Sequence, residues 1–188
     1  MVTYASDTEL PISGDVLNFW FSAGPEKWFA KDDAFDEAIR DRFLTLHGKA
    51  AAGAIDDWSK SADGTLALII VLDQFSRNLY RNSPLAFAND EKALGLSQNL
   101  IAKRQDIEFP TNVRLWVYMP FQHSEDLEIQ KRSIELFGSI GDSENLRYAI
   151  IHRDIIEKFG RFPHRNEVLG RTSSAEELKF LAEGGFSG

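Results

Sequence analysis

The sequence predicts an all-α protein whose antiparallel helix pairs stack into a bundle or a short superhelix. Three observations predict it. Apolar residues recur at helical spacing along most of the chain, while strand-like alternation is scarce. Phe35, Ile39, Phe43 and Leu46 fall at successive helical turns and form one clean stripe. Start and stop signals follow one another closely, and short connections make consecutive helices antiparallel neighbours.

Residues 1–13 read as a polar tail and 14–188 as one all-α domain. Gly14-Asp15 introduces a short apolar helix, Val16 to Phe21, that stops before Gly24-Pro25, after which Trp28 and Phe29 fold back on the core. The second helix runs from about Asp32 to Ala52, and Gly53 ends it in a left-handed cap. Asp63 is the expected N-cap of a third helix reaching Tyr80. Its first turns, Leu66 to Leu72, are apolar all round, which marks a helix surrounded by others. At 100° per residue, Asp73, Arg77 and Tyr80 share one side, so this central helix turns a polar end toward something. Ser83-Pro84 opens a fourth helix to Lys103, with proline at the first helical position.

Phe109-Pro110-Thr111 starts a fifth helix that Pro120 should stop, because the residue before a proline avoids helical angles. Ser124 caps a sixth to Phe137, and Asp142 or Ser143 a seventh to Phe159, closed by Gly160. Ser173 with Glu176 has the spacing of a capping box for a last helix through Leu181. The residues beyond should fray unless Phe186 docks.

Composition narrows the function classes. The chain has 188 residues, the size of one domain, and its 43% hydrophobic content suffices for a sizeable core. The longest apolar run, Leu66 to Leu72, is far short of the roughly 20 residues of a membrane helix. No basic patch leads into an apolar stretch at the N-terminus, so a cytoplasmic location is expected. With no cysteine there is no disulfide, thiolate metal site or catalytic thiol. A formal charge of −8 opposes nucleic acid and anionic membrane surfaces as partners. Arg147 to Arg171 departs from that balance, with six Lys or Arg against three Asp or Glu. Such a basic island suits a small anion, or an internal partner in the acidic remainder.

Within it, His152 lies in the middle of the helical arc Tyr148, Ile151, Ile155, Ile156 and Phe159, and is expected to be buried. It is either a core histidine tied to a carbonyl or hydroxyl, or a base tuned by its surroundings. Arg161, His164, Arg165, Asn166 and Arg171 follow Gly160, with Phe162 as anchor. Arginine forks there suit a ligand carboxylate or phosphate, or else clasp Asp73. Asp73 and Arg77 on the third helix form a second cluster, and His123-Ser124-Glu125-Asp126 a third. No zinc-protease, nucleophile-elbow or phosphate-loop motif is present, and His123, His152 and His164 lack metal-ligand spacing, so neither metal nor cofactor is expected.

Three long segments resemble a known family. They are Asp73-Gln74-Phe75-Ser76-Arg77-Asn78-Leu79-Tyr80-Arg81, Tyr118-Met119-Pro120-Phe121-Gln122-His123-Ser124-Glu125-Asp126, and His152-Arg153-Asp154 through Phe159-Gly160-Arg161-Phe162-Pro163-His164-Arg165-Asn166. The chain resembles the largely bacterial family termed domain of unknown function 924, from Val16-Leu17-Asn18-Phe19-Trp20 to Phe180-Leu181. The resemblance implies an all-α fold similar to the tetratricopeptide-like superhelix. It carries no reaction and therefore no catalytic residues.

The residues themselves lead to a pocket for a small anion, carboxylate or phosphate. Asp73, Arg77, His123, Arg161 and Arg165 are the expected ligand-binding residues, and His152 or His164 the expected acid–base catalyst if the pocket carries out chemistry. The alternative is a helical scaffold that binds a peptide or protein without catalysis.

Overall fold

The computed structural model describes residues 10–186, and among them every regular element is helical. Most of the expected tail, residues 1–9, lies outside the described residues. The helices are α1 (Ser13–Ala23), α2 (Pro25–Trp28), α3 (Asp33–Ala51), α4 (Ala62–Ile69), α5 (Ser76–Leu79), α6 (Asp90–Ala102), α7 (Thr111–Gln122), α8 (Leu127–Ile140), α9 (Ser143–Phe159) and α10 (Ala175–Ala182). None is long and apolar enough to cross a membrane.

The stretch that is apolar all round is buried all round. Leu66 to Leu72 expose no more than 1% each, and α4 packs on α1, α6 and α7. Its entry is tight: a Cβ on Gly64 would lie 2.1 Å from the Trp58 carbonyl oxygen. The α3 stripe of Phe35, Ile39, Phe43 and Leu46 is buried against the same centre. Trp28 does fold back, its ring 6.1 Å from Trp20 and 5.0 Å from Trp116. From α7 onward consecutive helices pack pairwise, α7 on α8 and α8 on α9.

Between α4 and α5 the backbone winds as a π-helical turn, Ile70–Phe75. A π turn takes more residues per revolution than an α turn, so a wheel drawn at 100° loses register across it. Asp73, placed by the wheel on a polar side, is wholly buried instead.

Other boundaries differ from the expected ones for physical reasons. Ser61, not Asp63, caps α4, accepting from Gly64 N at 3.1 Å. Ser83 caps only a 3-10 turn, Pro84–Ala86, and α6 begins at Asp90. Pro120 does not stop α7, which continues to Gln122. The helix is buried from Leu115 to Gln122, and the Gln130 amide donates to the carbonyls of Phe121, Gln122 and Ser124, so its last turn is supplied with donors from α8. Asp126 rather than Ser124 caps α8, its Oδ1 accepting from Glu128 N and Ile129 N. The last capping box is Ser174 with Glu177, one position beyond the expected pair. Phe186 docks, its ring 4.5 Å from that of His152.

Candidate functional site

Three of the polar clusters converge, and a fourth joins them. The π turn and α5 bring Asp73 and Arg77. The α7–α8 loop brings His123 and Glu125, and the segment between α9 and α10 brings Arg165. The fourth is Phe87 and Asp90, at and before the start of α6, which sequence reasoning did not name. Between them opens a cleft of about 510 Å³, lined by Phe87, Asp90, Glu91, His123, Glu125 and Arg165 among others.

Asp73 lies wholly buried behind the lining of the cleft. Its Oδ1 accepts from His123 Nδ1 at 2.8 Å and lies 3.0 Å from Arg77 Nη1, while Oδ2 accepts from Gln74 Nε2 at 2.5 Å. Burial would raise its pKa, but the Arg77 charge and the hydrogen bonds from His123 and Gln74 hold it down at about 2. Arg77 then bridges to Asp90, both Nη atoms donating at 3.0 Å to its two oxygens. Burial and the Arg77 charge together push His123 below the ordinary histidine value, against the pull of Asp73. The ring is therefore neutral at pH 7, with the proton on Nδ1 shared with Asp73. Nε2 is left bare, without a protein partner among the described residues. Since His123 is neutral, Arg77 is the cation that balances Asp73.

Arg165 forms one wall. Its guanidinium carbon lies 4.5 Å from the Phe87 ring and 4.5 Å from the Phe162 ring, a cation between two aromatic faces. The residue is only 6% exposed, yet among the described residues its guanidinium makes one hydrogen bond to protein, a long 3.4 Å contact from Nη1 to Asp90 Oδ2. Its Nε is buried without a partner among them. Burial and the nearby Arg77 lower its pKa to about 10, so it stays charged at pH 7.

Glu125 holds this wall in place. It accepts from Phe162 N at 2.8 Å and from both Nη atoms of Arg171 at 2.7 and 3.0 Å. Arg171 in turn donates to the Phe162 carbonyl and to Asn166 Oδ1. The sequence places Glu125 in the His123–Asp126 cluster without a role, because its pairing partner, 46 residues away, leaves no local signal.

The family model described as "Bacterial protein of unknown function (DUF924)" matches residues 16–185. The chain belongs to this family. It is also similar to a solved protein of unknown function from Agrobacterium tumefaciens, at 41% identity over 92% of this chain and 97% of that one, with a TM-score of 0.88. No curated protein matches it. Membership in DUF924 brings a helical fold and no reaction.

In this DUF924 chain the expected site residues divide. Asp73, Arg77, His123 and Arg165 come together, but only His123 and Arg165 line the cleft, while Asp73 and Arg77, expected to bind the ligand, lie behind them and hold the site rather than face it. The anticipated clasp of Arg161 or Arg165 on Asp73 does not form, because Arg77 and His123 already occupy that carboxylate. Arg161 lies elsewhere, held by Glu177 at 2.6 and 2.8 Å and by the Thr172 carbonyl, and so ties down α10. His152 and His164 do not border the cleft. His152 donates from Nδ1 to the Tyr148 carbonyl at 2.8 Å, and burial pushes its pKa down to about 3. His164 stands 5.5 Å from both Phe162 and Phe186, with Nδ1 buried and unpartnered, and burial pushes it down to about 4. Among the described residues no three His, Asp or Glu side chains are placed to hold a metal.

Proposed function

We propose that the cleft binds a small organic anion, with its carboxylate or phosphate on Arg165 and with His123 as the group positioned to exchange a proton with it. One observation carries this reading. A guanidinium has five donors; that of Arg165, 94% buried, makes a single long bond to protein among the described residues and leaves Nε without a partner there. Unpaired buried donors are costly, and an arginine fork suits the two oxygens of a carboxylate or phosphate. The Phe87 and Phe162 faces fix the plane of the fork, so a ligand meets a pre-set geometry. His123 adds a bare ring nitrogen whose orientation is set by a buried carboxylate, an arrangement suited to a general base.

The test is a thermal-shift and calorimetric panel of short alkanoates, benzoate, phosphate and phenyl phosphate at constant ionic strength. At least one should stabilise the wild type. Arg165→Met keeps the stacked volume and removes the charge, so it should remain folded by circular dichroism and lose that response. A wild type indifferent to every anion, or a variant that responds equally, overturns the reading.

A further inference from the structure

Charge around the cleft says more about the ligand than Arg165 alone. This step rests on the anion reading above and concerns the other end of the same ligand. Four carboxylates border the cleft, those of Asp90, Glu91, Glu125 and Asp126, against the one guanidinium of Arg165 and a neutral imidazole. Two of the four are already matched. Asp90 takes Arg77 in a fork, and Glu125 takes Arg171. The other two are not. Among the described residues the Glu91 carboxylate has no ion pair or hydrogen bond, and Asp126 spends only Oδ1 on capping α8, leaving Oδ2 without a partner. Both are exposed, and Glu91 follows Asp90 on α6, about 100° further round the helix.

An isolated anion entering this cleft gains Arg165 but approaches two carboxylates that no cationic side chain pairs among the described residues. A dianion would suffer most, since like charges a few ångströms apart repel strongly where water is partly excluded. A molecule that carries its own cation reverses the sign of that interaction. The lining between the poles is apolar, from Pro84, Leu94, Pro120 and Leu169, and suits an aliphatic spacer. We infer that the cleft takes a small zwitterion of the amino-acid kind. Its carboxylate sits on the under-coordinated Arg165 fork, and its ammonium faces Glu91 and Asp126 at the mouth.

Matched compounds separate this inference from the one beneath it. β-Alanine, 4-aminobutyrate, 5-aminovalerate and 6-aminohexanoate would be titrated against the alkanoates of equal length, at fixed ionic strength, on wild type, on Arg165→Met and on the double variant Glu91→Gln, Asp126→Asn. Asparagine is itself a good helix cap, so the double variant should keep α8 intact. At one or more lengths the amino acid should bind the wild type about fivefold more tightly than its alkanoate, the gain of a modest ion pair. The double variant should close that gap, and Arg165→Met should lose both ligands. If alkanoates bind as well as amino acids at every length, or the gap survives in the double variant, the zwitterion is wrong while the anion site stands. If none of the compounds binds the wild type, the zwitterion falls, and the anion site falls with it unless phosphate, benzoate or phenyl phosphate binds.

Discussion

At the scale of single residues, the site depends on two side chains held short of their full complement of partners. Arg165 is fixed by stacking rather than by acceptors, which keeps its donors available. His123 is the opposite case, fully specified on one edge and bare on the other. Burial and Arg77 outweigh Asp73 in setting its protonation, so its titration should fall below 6.5 in a histidine-detected NMR series. Asp73→Asn removes the carboxylate that favours imidazolium, and the His123 midpoint should then move lower still. An upward move on that substitution would mean that Asp73 is not the partner of Nδ1. Three of these residues stand out in the sequence: Asp73 follows the apolar run Leu66 to Leu72, Arg165 belongs to the basic island Arg147 to Arg171, and His123 heads the polar cluster that ends at Asp126. Phe87 and Asp90 do not stand out. In a helix expected to run from Ser83-Pro84 to Lys103, a phenylalanine reads as core and an acid as a solvated face, so the half of the site built from them was not legible.

Among the elements, two irregularities aim these residues, and each marks where local rules lose to tertiary context. The π turn rotates Asp73 and Arg77 relative to the α-helical wheel, and nothing in Ile70 to Phe75 announces it. Pro120 is the reverse, a strong stop signal that the fold overrides, because Gln130 reaches across from α8 to the carbonyls of Phe121, Gln122 and Ser124. Those carbonyls surround His123, so Gln130 is a positioning residue for the imidazole. Gln130→Leu fills similar space and deletes the donor, leaving buried acceptors unpaired. We expect a loss of about 1–3 kcal/mol in denaturant unfolding, accompanied by broadening of the His123 ring resonance. Full stability with an unchanged resonance would show that the proline-containing turn holds itself. Helix existence, the stripe on α3 and the burial of α4 were readable from periodicity alone. Boundaries at α4, α6 and α8 were not, since each had two or more candidate caps within a few residues and the choice depends on what packs behind them.

For the molecule as a whole, the histidines set how it answers to acid. His152 and His164 sit in an aromatic enclosure of Phe162 and Phe186, depressed to about 3 and about 4, and His47 and His123 are depressed as well. A histidine of this kind binds a proton near pH 6.5 when unfolded but not when folded, so its cost to stability is absent above that pH. It grows as pH falls from 6.5 toward the folded value, at up to about 1.4 kcal/mol per pH unit for each group. The carboxylates act lower. Asp73 and Glu177 are held at about 2 in the folded state, so their contribution is full above about 4 and fades only beneath it. Between pH 7 and pH 5.5 the histidines alone should therefore govern the trend, with His152 and His164 together removing about 2 kcal/mol. Urea unfolding across that interval measures it. His164→Leu keeps an apolar group against Phe186 and should reduce the slope by roughly one histidine's share. A flat profile in the wild type, or a variant with the wild-type slope, would mean that these rings are already protonated in the fold and that Phe186 closes over cations rather than neutral imidazoles.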